Sequence, residues 1–348
     1  MPPLAPQFAA DLNTLWFILV GVLFAGYAIL DGFDLGVGAL HLFARTDHDR
    51  RILYNAIGPI WDGNEVWLVT GGGALFAAFP IVYAVIFSGF YLAFILLLFG
   101  LIFRAVAIEF RAQRATPAWR QFWDVSFSVS SILSSILVGV ALGNIAAGIP
   151  LEADHEYFGG LLGLLRPYPL LVGVTTLALF AMHGSIFLVL KTEGELHDRL
   201  RAWVRYAIIV FIICYAITTM VTLLYVPNMT DAFRGYPVLI ALPILTILAI
   251  ANIPREIYYG RDFQAFASSC AAIAALLVTF GIEMYPNLVY STAAPEVRSL
   301  TIYNASSSPG TLHTMAIIAL IGMPFVASYT FYIYWVFRGK VRLDSSSY

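Results

Sequence analysis

Predominantly apolar stretches of about twenty residues follow one another almost without pause along the 348-residue chain. A run of that length is what a helix needs to cross the hydrocarbon core of a bilayer. About nine such spans can be delimited, at roughly 14–42, 53–79, 81–103, 122–143, 168–190, 203–225, 236–252, 263–284 and 313–336. Only Phe79-Pro80 separates the second from the third, so a tight turn is expected there. Hydrocarbon offers no partner to an open backbone group, so the spans are expected to be α-helices. Composition agrees, with 60% hydrophobic and 11% charged residues, against about 25% charged in a soluble domain. The expected fold is an all-α polytopic membrane protein, a single transmembrane domain over residues 1–348. The longest polar stretch, Tyr285 to Leu312, is rich in Ser, Thr and Pro and is expected to form an ordered loop.

Basic residues orient the spans. With the N-terminus outside, the inner loops hold Arg45, Arg50 and Arg51, then Arg104, Arg111, Arg114 and Arg120, then Lys191, Arg199, Arg201 and Arg205. Arg255, Arg261, Arg338, Lys340 and Arg342 fall on the same side. Of nineteen Lys and Arg residues only Arg166, Arg234 and Arg298 remain outside. The positive-inside rule therefore favours N-out and C-in, which needs an odd number of helices. Phe103–Phe110 and Asn252–Tyr258 form a weak internal echo four spans apart. It would suit two four-helix repeats, about 14–145 and 168–284, plus an extra helix at about 313–336, although a match this short is of the size that chance produces.

A net charge of −2 gives no basic field for nucleic acid. Cys214 and Cys270 lie in apolar runs and form no CxxC motif, so they read as small buried hydrophobes. Met1 to Asn13 contains no Lys or Arg, so the first apolar run reads as a mature helix and not a signal peptide.

Four acids interrupt the first two spans. Asp31 and Asp34 lie in Leu30-Asp-Gly-Phe-Asp-Leu-Gly36, and Asp62 and Glu65 in Trp61-Asp-Gly-Asn-Glu-Val-Trp67. Ionisable groups at membrane depth are costly and tend to serve proton, ion or ligand handling. If the two spans form a symmetric hairpin about His48, Asp34 and Asp62 lie at one depth. Asp31 and Glu65 then lie at another, about 4.5 Å away. Two facing carboxylates in low dielectric cannot easily both be ionised, so one holds a proton or meets a cation. Arg104 and Glu109, at the inner end of the third span, are candidates for a cationic partner and a proton mouth. The competing reading makes the acids helix-locking ion pairs or turn caps. Pro59 requires a compensated kink that frees a carbonyl near Asn55. Gly32-Phe-Asp-Leu-Gly36 fits GxxxG, and it and Gly71-Gly-Gly73 are expected to allow close helix approach.

Of the six histidines, His48, His155 and His197 are expected in loops, and His41 and His313 near span ends. Only His183 lies well inside a span, where a hydrogen-bonded packing role outweighs haem ligation. No His/Cys/Asp cluster has metal-ligand spacing, so no metal site is expected. Trp119, Trp123, Trp203 and Trp335 sit at the inner boundary, as interface anchors do. Trp61 and Trp67 lie deeper, where core packing competes with contact to a partner subunit or a quinone tail.

Asp31-Gly-Phe-Asp-Leu-Gly-Val-Gly38, Trp61-Asp-Gly-Asn-Glu-Val-Trp67, Gly72-Gly-Ala-Leu-Phe-Ala-Ala78, Phe87-Ser-Gly-Phe-Tyr91 and Phe103-Arg104 with Glu109 closely resemble subunit II of the cytochrome bd-type quinol oxidases, a group that includes the cyanide-insensitive oxidases. The likeness is dense over about 14–145 and continues through Gly194-Glu-Leu-His197. It implies a multi-pass subunit of the bacterial inner membrane, within a complex that oxidises quinol and reduces dioxygen to water. Haem b and haem d would be carried by a larger subunit I, against which this chain packs. A small single-helix accessory subunit and, in this subunit, a structural quinone belong to the same expectation. This chain alone would not be catalytic. The resemblance places Asp34, Asp62 and Glu109 on a proton pathway, with Asp31, Trp61, Glu65 and Arg104 in support. The family often has Asp where Glu109 stands, which keeps the carboxylate. Dioxygen, quinol and haem come from the resemblance alone. A proton-coupled transporter and a structural scaffold for a redox partner remain as alternatives.

Overall fold

The computed structural model describes residues 11–343. The chain begins with α1 (Leu12–Leu40), α2 (Asp47–Ile57), α3 (Trp61–Ala78), α4 (Pro80–Gly89) and α5 (Tyr91–Phe110). It continues through α6 (Pro117–Ala147), α7 (Gly160–Leu164), α8 (Pro167–Lys191) and α9 (Gly194–Tyr225). The last helices are α10 (Asp231–Gly235), α11 (Ala241–Tyr258), α12 (Asp262–Met284), α13 (Pro295–Arg298) and α14 (Pro309–Val336). Helix starts follow local chemistry. Asp11 caps α1 by accepting from the Thr14 amide at 2.7 Å, and Thr46 caps α2 through the Asp49 amide at 3.0 Å. Proline opens α4, α6, α8 and α14, where its missing N–H costs nothing.

Among the described residues, eight helices are long and apolar enough to cross a membrane. The expected span 53–79 is not one of them. It is broken at Gly58-Pro59-Ile60 into α2 and α3. Pro59 cannot donate to the Asn55 carbonyl, so the helix ends instead of kinking, and the Gly58 amide closes it on Tyr54 O at 2.8 Å. His48 therefore lies in the first turn of α2 and not at the centre of a loop, and His197 lies in α9. The hairpin is not symmetric about His48. The expected turn at Phe79-Pro80 is present between α3 and α4, and a second break at Phe90 divides α4 from α5.

Helix α8 is the central element, packed against α1, α6, α9 and α12. Its closest crossing is with α1. A Cβ on Gly36 would stand 1.8 Å from the Phe180 carbonyl oxygen, and one on Gly184 would meet the Gly36 backbone at 2.6 Å. The GxxxG of α1 thus lets two backbones touch. The glycines of α3 differ from expectation: only Gly71 faces a neighbour, Phe24, while Gly72 and Gly73 face open space.

The two largest apolar clusters occupy the two ends of the bundle. One gathers Phe33, Leu53, Tyr54, Ile108, Phe127 and Phe187 at the arginine-rich end. The other gathers Trp16, Phe79, Phe90, Ile149, Val289 and Leu312 at the opposite end. The loop after α12 is ordered, as its composition suggests. Its strands β1 (Asn287–Val289) and β2 (Leu300–Thr301) pair antiparallel. It is tied down by Arg298 to Leu151 O at 2.9 Å, Asn13 to Ile302 O at 2.7 Å and Trp16 to Leu312 O at 2.9 Å.

Candidate functional site

Helix α1 is buried on all sides over its last third, and there Asp31 and Asp34 are completely enclosed. Arg104, on α5, is also fully buried. Its Nη2 lies 2.7 Å from Asp31 Oδ1 and 3.1 Å from Glu65 Oε2. One guanidinium thus joins α1, α3 and α5, and the pairing of Asp31 with Glu65 across the hairpin is realised through a cation. The glycine contact with α8 seats α1 deeply enough for this, because any side chain at Gly36 would push the two helices apart.

Asp34 has a different partner from the one its depth suggests. Asn64 Nδ2 donates to Asp34 Oδ2 at 2.7 Å, and the Tyr334 hydroxyl of α14 donates to Asn64 Oδ1 at 2.8 Å. Asp34 Oδ1 is buried with no hydrogen-bond partner among the described residues. Asp62 does not face Asp34; it is exposed on the surface of the chain. Residues 62 and 64 differ by about 200° around a helix, so only one of them can point at α1. The register that would have chosen Asp62 is lost at the Gly58-Pro59-Ile60 break.

Glu109 is likewise not part of the buried set. It is exposed in the last turn of α5, about 140° around the helix from Arg104. Its carbonyl accepts from Gln113 Nε2 at 3.4 Å. Trp61 is half-buried and packs against the cluster at the arginine-rich end. The structure therefore brings together Asp31, Asp34, Glu65 and Arg104, and leaves Asp62 and Glu109 on the surface.

A second charged cluster lies one layer nearer the arginine-rich end, around Arg111, seven residues beyond Arg104 and just past the end of α5. Asp124, on α6 and 1% exposed, accepts from Arg111 Nε at 2.6 Å and Arg50 Nη1 at 2.9 Å. His41 Nε2 lies 2.7 Å from the same carboxylate. Arg111 and Arg120 also reach Asp47, at 2.7 and 3.1 Å. Sequence reasoning passed over Asp124, although a lone acid in the apolar run 122–143 was the available signal. Asn64 and Tyr334 carried no such signal, being neutral.

His183 is buried with both ring nitrogens engaged. Nδ1 is 2.7 Å from Ser269 Oγ, and Nε2 is 2.9 Å from Ile29 O. The ring also stacks on Phe266 at 5.0 Å. This is a packing arrangement that does not fit an axial haem ligand. Among the described residues no three His, Cys, Asp or Glu side chains are grouped to hold a metal ion.

The family model for cytochrome bd terminal oxidase subunit II matches residues 12–337. Cytochrome bd-I ubiquinol oxidase subunit 2 of Escherichia coli (strain K12) is 37% identical over 364 aligned positions, covering 96% of each chain. Cytochrome bd ubiquinol oxidase subunit 2 of Bacillus subtilis (strain 168) is 36% identical, covering 95% of this chain and 97% of that one. Among solved structures, the bd oxidase from Geobacillus thermodenitrificans shares the fold, with a TM-score of 0.78 at 16% identity over 94% of this chain and 98% of that one. The chain is a multi-pass membrane protein of a respiratory oxidase and belongs to the cytochrome bd terminal oxidase subunit II family.

Proposed function

We propose that the chain is the subunit of a quinol:dioxygen oxidoreductase complex in the bacterial inner membrane that helps deliver protons for water formation, while haem b and haem d reside in a larger subunit I. The observation that carries this reading is the set formed by the buried Asp31 and Asp34 and the half-buried Glu65 around the single cation Arg104. One guanidinium offsets one carboxylate charge. The remaining acids are tolerable at membrane depth only with protons to balance them, which is the condition a relay needs.

Asp34 is the inner carrier, and Asp62 and Glu109 are its links to the surface. Asp62 starts a face of α3 that continues through Val66, Val69, Gly73 and Phe76, all at helical spacing and all exposed. A carboxylate on a lipid-facing surface is costly. We therefore assign this face to subunit I, with Asp62 at the subunit boundary. Glu109 lies among Arg111, Arg114 and Arg120, which the positive-inside rule puts on the cytoplasmic side. Family membership favours this reading over an independent proton-coupled transporter.

The test is copurification. The tagged chain, extracted in mild detergent, is expected to bring down a larger subunit whose spectrum shows haem b and haem d. Elution of this chain alone, from cells that make the complete complex, would count against the reading.

A further inference from the structure

A carboxyl group that carries a proton must be held in place in two states with opposite hydrogen-bonding demands. Ionised, it only accepts. Protonated, it also donates. The surroundings of Asp34 meet both demands on one edge. Asn64 is 2% exposed, and its amide is bonded at both ends, Nδ2 to Asp34 Oδ2 at 2.7 Å and Oδ1 to the Tyr334 hydroxyl at 2.8 Å. An amide can exchange its donor and acceptor ends by turning over with almost no change of shape, and a phenol hydroxyl can donate or accept at the same position.

We infer that Asn64 and Tyr334 are positioning residues that keep Asp34 in one geometry through both protonation states, the amide and the hydroxyl reversing their hydrogen bonds when a proton sits on Oδ2. In the ionised state the order is Tyr334 O–H to Asn64 Oδ1, then Asn64 N–H to Asp34 Oδ2. When an arriving proton forms the Oδ2–H bond, the amide turns over. Asp34 then donates to Asn64 Oδ1, and Asn64 donates to the Tyr334 oxygen. No proton travels through the amide, and the only covalent bond made or broken is O–H on Asp34. The inference rests on the reading of Asp34 as a proton carrier.

The placement of Tyr334 supports a dedicated role. Helix α14 is peripheral, with none of its most apolar eighteen-residue window buried. One end is held where Trp16 donates to Leu312 O, and the other where Lys191 Nζ caps the Phe337 carbonyl. Tyr334 is the point at which this outlying helix reaches Asn64 and, through its amide, the acid. A phenylalanine there would fill the same space but leave one end of the Asn64 amide unpaired in either state.

Tyr334→Phe in the purified, assembled complex is expected to slow oxygen consumption roughly three- to tenfold, the factor that corresponds to the net worth of one hydrogen bond. Haem content should be unchanged. In redox-difference infrared spectra, the protonated-carboxyl band that Asp34→Asn abolishes is expected to shift in Tyr334→Phe. Asn64→Leu should be slower still, and Tyr334→Phe added to it should cause no further slowing, because both interrupt one chain. If Asp34→Asn slows turnover while Tyr334→Phe keeps full turnover and an unshifted band, this inference fails and the carrier reading stands. If Asp34→Asn itself keeps full turnover, the carrier reading fails and this inference with it. Additive slowing in the double variant also overturns the inference.

Discussion

Asn64, not Asp62, meets Asp34, its amide donating to the Asp34 carboxylate at 2.7 Å inside a fully buried junction of α1 and α3. A neutral partner neither cancels the charge of Asp34 nor adds to it. The charge of this acid is therefore governed by Arg104 and Asp31 beside it and by whatever proton it holds. Three carboxylates, Asp31, Asp34 and Glu65, thus share one guanidinium, a set with more acid than cation to balance it.

Arg104 is the cation on which that set depends. Arg104→Leu would leave Asp31 and Glu65 without a counter-charge, and removing one partner of a buried pair costs about 3–5 kcal/mol. The expected result is loss of assembled complex, measured as haem recovered per milligram of membrane. Arg104→Lys keeps the charge but replaces the planar guanidinium whose Nη2 reaches both carboxylates with a smaller ammonium, so partial assembly with a lowered Tm is expected.

The arginine-rich end allows a comparison between buried and exposed pairing. Asp124 pairs with Arg111 and Arg50 from a position 1% exposed, whereas Arg342 and Glu193, 3.7 Å apart, are 84% and 59% exposed. Asp124→Leu is expected to cost several kcal/mol by stranding the buried Arg111, and Arg342→Ala about 0–1 kcal/mol. Thermal unfolding of the two purified variants checks the order. Equal Tm values would show that Asp124 is not a structural hub.

Membrane orientation follows from the same arginines. A reporter fused after Tyr348 is expected to be active only in a cytoplasmic format. Activity confined to a periplasmic format would reverse the assignment of Glu109 to the proton-accepting side.

The apolar spans were legible in the sequence because bilayer-crossing helices need long apolar windows whatever they pack against. Their ranking was not. Helices α8 and α14 are almost equally apolar, yet 72% of the most apolar stretch of one is buried and none of the other. Lipid-facing and protein-facing surfaces are both apolar, so hydropathy cannot tell centre from edge. Asp31 and Glu65, set at matched depth by the residue count, do share Arg104, whereas Asp62, set opposite Asp34 by the same count, does not face it. The Gly58-Pro59-Ile60 break resets the angular register of α3, and a count of residues from His48 does not see it. Asn64 was invisible because a neutral amide leaves no trace in charge patterning. Asp124 was passed over, although burial makes it a junction of four side chains with His41, Arg50 and Arg111.

Proton uptake and oxygen consumption, measured together on the assembled complex in vesicles with Asp34→Asn, test the central claim most directly. The substitution keeps size and a hydrogen-bonding group but removes the titrating proton. The account predicts that both rates fall together at unchanged haem content. Asp62→Asn should resemble it, and the double variant should be little slower than the slower single one, since both interrupt one route. Full oxygen consumption and full proton uptake in an assembled Asp34→Asn complex would contradict the account and reduce the buried acids to helix-locking ion pairs.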